Sequence, residues 1–536
     1  MRACYPIPSL LDSAPEKANS KGMVSQRIRR LVDALGDGLL EKEEVLRLTL
    51  LAALAGENTF LLGPPGVAKS LLARRVSRAF ADASYFEYLL GRFTTPEELF
   101  GPVSISRLKD ADRFERVVDG FLPTAEIVFL DEIWNASSPI LNSLLTAINE
   151  HRFRNGSEEL HLPLQTVIGA GGGAAPEEPG LDKLWDRFLL RLPVTSVQEA
   201  DSFVRLIQSA ADLDADPVHL KDKITADELD EWSDARDTVT IPPDIAALVL
   251  DIRERLARHN SMSDEDSTPV LVSDRRWKHA MQLLRTSALM NERAQVDALD
   301  CAILRHCLWS RERDIPVVNT IVEEAIRRYS TSGPFDPDMY RSRLEDQMNR
   351  LRSAGTAASE EDVRTPVEYR GEYFRVEDFV DDHLSLIWIG DFQNLTEDEA
   401  RETDLFFYGD DDDYAYSERF PIRRLAPDTI EIDGQAFELE TRTVTRTVEH
   451  AVELPSDDLA EARESLLTLR SDVQSVMNSI GDYRERTDTE AEEHLFVHRT
   501  YADIIAQGMQ EAQSSFALLL TDIEAAISSL EPGTGG

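Results

Sequence analysis

A chain of 536 residues with 42% hydrophobic content has material for three or four packed domains of ~150 residues each, and no apolar run in it approaches the ~18 residues of a membrane span. Its formal net charge of −42 argues against a nucleic-acid duplex as the main ligand, because affinity for phosphate backbones comes from Lys and Arg. Three scattered cysteines, Cys4, Cys301 and Cys307, supply neither a disulfide framework nor a metal quartet, and the N-terminus lacks a basic-then-apolar signal pattern; the expected location is cytoplasmic, with no integral membrane segment.

The first twenty-two or so residues, rich in Ser, Pro, Lys and Ala, read as a loose arm. From Val24 to about Ala200 helical and strand patterns alternate. An apolar helix runs through Leu39–Leu54, a strand ends at Leu62, another lies near Tyr85–Leu89, and further strands follow at Ile127–Leu130 and Thr166–Ala170. Such alternation implies a parallel sheet covered by helices on both faces, with ligands at the carboxyl ends of its strands.

Two segments of this region carry chemistry. In FLLGPPGVAKSLLARR a strand enters a turn made of Gly63, Pro64, Pro65, Gly66, Val67 and Ala68, and a helix then opens with Lys69 and Ser70. Small residues let backbone N–H groups curl around phosphate oxygens, and the helix N-terminus adds partial positive charge. Lys69 would reach the β- and γ-phosphates of a nucleotide, and the Ser70 hydroxyl would complete a Mg²⁺ shell. The phosphate-loop pattern asks for Gly just before the lysine, where this chain has Ala68. In IVFLDEIWNA a buried strand ends in Asp131, a metal-orienting carboxylate, and Glu132, a candidate base for the attacking water.

From Asp201 to about Asp314 the pattern is helical, and it continues through Val318–Arg352. The stretch AGTAASEEDVRTP reads as a linker. Period-2 alternation between about Val367 and Val452, with an Asp433-Gly434 turn between two runs, predicts antiparallel hairpins. Leu459 to Leu530 returns to long helices, so a small β module is inserted in a helical hairpin or bundle.

These motifs resemble the MoxR-type AAA+ ATPases, and within them the RavA (regulatory ATPase variant A) branch. The resemblance rests on GENTFLLGPPGVAKSLLARR, FTTPEELFGPVSI, AEIVFLDEIWNASSPILNSLLTAINEHRFRNG, LWDRFLLRL and VSDRRWKHAMQLL. It is dense from about Val24 to Trp309 and extends beyond only in layout. It implies an α/β P-loop core with an all-α lid, followed by a helical bundle domain carrying an inserted antiparallel β module. The corresponding domains are an arm at 1–23, the nucleotide-binding core at 24–200, the lid at 201–312, a discontinuous helical domain at 313–365 and 453–531, the β module at 366–452, and a tail at 532–536.

The resemblance also assigns roles. Gly63, Gly66, Lys69 and Ser70 match the phosphate loop, Asp131 the magnesium-orienting carboxylate and Glu132 the hydrolytic base. Arg187 matches the finger that reaches a neighbouring subunit's nucleotide, which implies a ring. Arg275 matches the second sensor, a lid arginine contacting the γ-phosphate from the same chain. Segments Pro102–Gly120 and His151–Leu164 match an insertion in helix 2 and a hairpin before the first sensor, which is usually Asn. Counting back from LWDRFLLR puts that position at Gly172, so hydrolysis is expected to be attenuated unless another donor or register serves. The implied activity is that of an ATP hydrolase in a homo-oligomeric, hexameric ring. The implied role is chaperone-like remodelling of an unidentified client, with a von Willebrand factor A-domain partner and no nucleic acid. The alternative is a scaffold that binds ATP, assembles and recruits a partner with little turnover.

Weaker signals remain. The aspartates at 410–413 lack the Gly and distal Glu of a calcium loop and read as a solvated turn. His494 and His498 have helical i, i+4 spacing, but no Glu follows and no third ligand is evident. Only nine of the fifty-seven basic residues are lysine, and none follows Lys278. An acidic, lysine-poor surface suits a halophilic source, with a high-GC genome as the other explanation.

Overall fold

The computed structural model describes residues 22–175, 181–209, 215–262, 269–330, 335–354, 356–380, 383–409, 414–451 and 456–530. Most of the N-terminal arm, Cys4, the aspartates at 410–413 and the tail lie outside them. The chain divides into two compact units, residues 1–340 with 471–521, and 341–470 with 522–536.

The first unit begins with helices α1 (Met23–Gly36) and α2 (Glu43–Ala55), then strand β1 (Asn58–Leu62) and helix α3 (Lys69–Ser77). Strand β2 (Tyr85–Leu89), helices α4 (Pro96–Phe100) and α5 (Ile105–Ala111), strand β3 (Ile127–Asp131) and helix α6 (Ser138–Glu150) follow. A hairpin of β4 (Arg152–Asn155) and β5 (Glu158–His161) leads to β6 (Thr166–Gly171), α7 (Leu181–Trp185) and β7 (Phe188–Pro193). Five of these strands form a parallel sheet in the order β2-β3-β6-β1-β7. Burial on both faces explains why β3, β6 and β7 are nearly continuous apolar runs: all six residues of β6 are buried. Helix α2, expected as an apolar helix, is buried from Leu48 to Ala55.

Helices α8 (Ala200–Gln208), α9 (Ala226–Arg236), α10 (Pro243–Met262), α11 (Asp274–Met290), α12 (Ala298–Cys301) and α13 (Ile315–Tyr329) follow, and the stretch expected as the all-α lid runs from α8 through α12. Their starts are written in the sequence. Thr225 and Glu228 make a capping box for α9, and the Ser273 hydroxyl accepts the Arg276 N–H at the start of α11, which satisfies otherwise orphaned donors. Helix α11 packs on α2 of the core, and α10 on α13.

Helix α14 (Pro337–Ala354) leads into strands β8 (Thr356–Pro366), β9 (Glu368–Tyr369), β10 (Tyr373–Val376) and β11 (Leu384–Trp388), then helix α15 (Ile389–Gln393). Strands β12 (Arg401–Tyr408), β13 (Tyr414–Ala426), β14 (Thr429–Ile432), β15 (Gln435–Glu438) and β16 (Thr441–Ala451) precede the long helices α16 (Ser456–Glu493) and α17 (Thr500–Ser529). Seven strands form an antiparallel meander, β15 through β9, over a core that includes Ile387, Leu405, Phe407, Ile422 and Ile430. Asp433 and Gly434 make the β14–β15 turn, both at positive φ, 47° and 82°, as a tight hairpin requires.

The segment expected as a linker is instead β8, paired antiparallel with β16 from Thr356↔Ala451 to Pro366↔Thr441. Residues 362–365 of β8 and 442–445 of β16 are exposed, and a strand without a buried face need carry no period-2 signature. Pro366 ends it, where a missing N–H costs no ladder bond.

Candidate functional site

The phosphate loop connects the carboxyl end of β1 to α3. Gly63 donates its N–H to the Gly171 carbonyl at the end of β6 over 3.0 Å, and a Cβ on Gly63 would stand 2.1 Å from the Val194 carbonyl oxygen. Only glycine allows that approach. Pro64, Pro65 and Gly66 are exposed, while Val67 is buried and anchors the turn. Ala68 stands at φ 70°, ψ 25° as the N-cap of α3, the left-handed conformation that explains why the pattern asks for Gly there. Lys69 is 5% exposed, and its Nζ donates to the carbonyl oxygens of Gly63 at 2.6 Å and Pro64 at 3.0 Å. Ser70 follows, half-buried, in the first turn of α3.

Asp131 ends β3 on the same edge of the sheet, one strand beyond β6, and Glu132 follows it. The Asp131 carboxylate accepts the Glu132 N–H at 3.0 Å. Glu132 itself sits at φ 51°, a strained backbone of the kind that clusters at functional sites. A glycine-permitted turn, a lysine aimed into it, a hydroxyl and two half-buried carboxylates fit a polyphosphate with a divalent cation. Lys69 and the amides from Gly66 onward would hold the phosphates, and Ser70 and Asp131 would hold Mg²⁺, which supplies charge neutralisation when bound.

Gly172 is the first residue after β6 and is exposed. A Cβ there would meet nothing within 4 Å. At Gly171, by contrast, a Cβ would crowd the Phe60 and Trp134 rings at 3.1 and 3.2 Å.

The two arginines lie at the opposite edge, where β1 and β7 begin. Asn58, the first residue of β1, donates its side-chain N–H to the Arg187 carbonyl over 3.2 Å, and Asn58 pairs with Phe188. Arg187 retains 17% of its side-chain exposure, and its nearest carboxylate contact, to Asp186, is 3.9 Å. Burial pulls its pKa down, and the Arg275 charge pulls it down further. Arg275 donates to Asn149 Oδ1 at the end of α6 over 2.6 Å. One turn along α11, His279 pairs with Glu57 at 2.6 Å, just before β1. Burial raises the Glu57 pKa, and the His279 hydrogen bond opposes it. No described contact of Arg275 reaches the phosphate loop, so its expected contact with a γ-phosphate of its own chain gains no support from this placement. Arg275 stands beside Arg187 at the start of β1, whereas the phosphate loop lies at its end.

Sequence reading missed the residues that build this edge. Asp186 accepts from Ser273 Oγ at 3.0 Å and from Arg276 Nη2 at 2.9 Å. Arg191, fully buried, donates to the carbonyls of Phe188 at 3.1 Å, Trp185 at 3.0 Å and Trp309, and its guanidinium lies 4.2 Å from the Trp185 ring centroid. Burial pushes its pKa down. The available signal was a lone arginine inside the apolar strand FLLRLP.

The segment expected as a helix-2 insertion meets the β4–β5 hairpin where Arg116 donates its N–H to Asn155 Oδ1 at 2.6 Å, and just before it the Phe100 ring of α4 stacks on Phe153 at 4.9 Å. His494 and His498 are not on a helix, since both fall in the turn between α16 and α17. His494 Nε2 lies 3.2 Å from Asp300 Oδ1, and its Nδ1 accepts the N–H groups of Phe496 and Val497. Among the described residues no group of three or more His, Cys, Asp or Glu is placed to hold a metal ion, and no helix is long and apolar enough to cross a membrane.

Residues 26–234 match a family model described as the MoxR domain in the MoxR-vWA-beta-propeller ternary systems, and residues 244–322 match an AAA lid domain. An uncharacterized protein of Methanocaldococcus jannaschii is 37% identical over 307 residues, 57% of this chain and 76% of its own length. A second from the same organism is 36% identical over 285 residues, 53% of this chain and 71% of its own. A structural protein, ORF618, of Acidianus two-tailed virus is 32% identical over 178 residues, 31% of this chain and 29% of its own.

Proposed function

Because the chain belongs to the MoxR family of AAA+ ATPases, we propose that it binds ATP with Mg²⁺ and works as a homo-oligomeric ring, a hexamer, in which each subunit completes its neighbour's site. The observation that carries this reading is the separation within one chain. The phosphate loop and the Asp131–Glu132 pair stand at the carboxyl edge of the sheet, and Arg187 with Arg275 at the other. A developing negative charge at the phosphates needs cations, and a second subunit would bring these two to it. In this mechanism Lys69 holds phosphate oxygens, Glu132 accepts the proton of the attacking water, and the neighbour's Arg187 and Arg275 stabilise the charge that develops.

Helix α8 supports the same assembly. It buries none of its residues, and Phe203 and Ile207 are 52% and 66% exposed. It follows β7, whose carboxyl end adjoins the phosphate loop through the Val194–Leu62 hydrogen bond, so its apolar side lies on the edge a second copy of this chain would cover. Light scattering with and without ATP tests the reading. We expect a nucleotide-dependent ring that Phe203→Asp with Ile207→Asp prevents, and ATP hydrolysis that Arg187→Ala abolishes without loss of ATP binding. A monomer that hydrolyses ATP equally well with Arg187→Ala would overturn it.

The role we assign is chaperone-like remodelling or activation of partner complexes. The description of the matched family model favours a partner with a von Willebrand factor A domain, while a β module set between helices favours the RavA branch. Co-purification with a von Willebrand A-domain protein encoded nearby tests the partner. A second reading, a scaffold that assembles on ATP with little turnover, is favoured by Gly172, and phosphate release per bound ATP separates the two.

A further inference from the structure

The geometry points to Asp186 as the positioning residue that couples Arg187 of the core to Arg275 of the lid, so that a neighbouring subunit's nucleotide meets both arginines as one unit. This inference rests on the reading that these arginines act across a subunit interface.

Asp186 immediately precedes Arg187, and its partner Arg276 immediately follows Arg275. Consecutive Cα atoms stand 3.8 Å apart, so the Asp186–Arg276 ion pair at 2.9 Å ties together the backbones from which the two arginines project. The carboxylate bonds go to the lid. Both oxygens lie within 3.1 Å of Ser273 Oγ, while the Arg187 guanidinium is 3.9 Å away. Ser273 in turn caps α11 at Arg276 N. Asp186 therefore holds the lid and leaves the Arg187 head without a close carboxylate.

Arg191 pins the same segment from beneath. Its guanidinium donates to the carbonyls of Trp185 and Phe188, which bracket Asp186 and Arg187, and to Trp309 on the lid side. The Trp185 indole N–H donates to the Ser310 carbonyl at 2.9 Å, and Arg276 Nη1 reaches Ser310 Oγ at 3.3 Å. Core and lid thus meet through charged groups, with Arg276 4% exposed and Arg191 fully buried. Two guanidiniums held near each other repel, and a polyphosphate inserted between subunits would relieve that repulsion. A latch of this kind makes lid position and finger position a single variable.

The test is Asp186→Asn in the full chain, which keeps shape and removes charge. We expect unchanged ATP affinity at the variant's own phosphate loop, unchanged ring mass and unchanged KM, with kcat lowered about tenfold or more. Mixing with excess Lys69→Ala chain, which supplies intact Asp186 but no active nucleotide, should restore turnover at the variant's sites, because the repaired arginines come from the neighbour. A clamp that served only the fold of its own subunit would not be rescued this way. Unchanged kcat, or a loss that mixing fails to recover, overturns the inference. If Asp186→Asn does not fold, Ser273→Ala removes one lid bond, keeps the ion pair, and should show the same pattern at smaller size; undiminished kcat there overturns it too. Arg187→Ala separates the two levels. If that variant keeps full kcat in the ring, the interface reading falls; if it loses kcat while Asp186→Asn does not, only the latch falls.

Discussion

Lys69 Nζ donates to the Gly63 carbonyl oxygen over 2.6 Å, so the loop lysine is satisfied by its own loop. Phosphate oxygens would replace Gly63 and Pro64 as its acceptors, and bonds between charged groups are the strong ones. Lys69→Ala should therefore weaken ATP binding by about 10²-fold, the equivalent of one or two charge-assisted bonds, ~3 kcal/mol. Titration calorimetry reads this directly. Unchanged affinity would remove the phosphate-loop assignment.

Ala68 holds φ 70° at the cap of α3. A Cβ in that region costs ~1–2 kcal/mol, while glycine loses ~0.4–1 kcal/mol more chain entropy on folding. Ala68→Gly should thus stabilise the protein by about 0.5–1 kcal/mol, seen as a higher melting temperature. A lower melting temperature would mean that the alanine methyl contributes packing that outweighs its strain.

Asp297 and Asp300 share Arg293 but titrate in opposite directions. Burial alone would raise the Asp300 carboxyl, yet Arg293 and His494 hold it well below the ordinary range. Asp297 is pushed up to about 6 by burial and by the Asp300 charge. For a raised carboxyl the folded state binds the proton more tightly, so its contribution is fully present below pH ~3.9 and lost as pH rises to about 6. Asp300 does the reverse, losing its contribution as pH falls below ~3.9. Asp297→Asn keeps a capping side chain for α12 and removes the titration. Relative to wild type, the variant should gain about 1–2 kcal/mol between pH 4 and 6 and little beyond. That range is discounted for the 30% of side-chain surface that Asp297 retains. A constant offset in urea denaturation from pH 4 to 7 would contradict it.

The strand–turn–helix around Lys69, the acidic strand end and the Asp433-Gly434 turn were legible because each is written locally: a turn of small residues at positive φ, a buried apolar run followed by two carboxylates, a two-residue hairpin. Strand β8 was not legible, because its partner lies some eighty-five residues on and its residues carry no alternation. The same limit hid the Asp186–Arg276 pair, whose members are ninety residues apart. Spacing along the chain suggested a helix for His494 and His498. The tertiary structure instead uses His494 as a partner of Asp300. Arg275 was singled out by motif, but the side of the sheet on which it stands depends on how α11 docks at Glu57, which no local pattern encodes.

The net charge of −42 makes a salt prediction. If the acidic surface is a halophilic adaptation, screening shortens carboxylate repulsion from ~30 Å at 0.01 M to ~3 Å at 1 M, and the melting temperature should rise over that range of KCl. The rise should be largest for the part of the chain after Lys278, where no lysine remains. A flat or falling profile would leave codon usage as the explanation.

Gly172 gives the sharpest test. The Gly171 carbonyl accepts the Gly63 N–H at 3.0 Å, so the residue after it leaves β6 beside the start of the phosphate loop. A Cβ at Gly172 meets nothing within 4 Å, so the first atom of an asparagine side chain is accommodated there. If this is the first-sensor position, Gly172→Asn restores a group that can orient water with Glu132. One positioning hydrogen bond in a preorganised site is worth about 10²-fold or more, ~3 kcal/mol, so kcat should rise substantially while ATP affinity changes little. Glu132→Gln is the reverse control and should retain ATP and hold the assembled ring. A wild-type chain already turning over at about 1 s⁻¹, with Gly172→Asn neutral or harmful, would show that another donor fills the role. The loop after Gly172 offers one place to look, since Ala174 donates its N–H to Glu312 at 3.3 Å and is thereby tied to the lid.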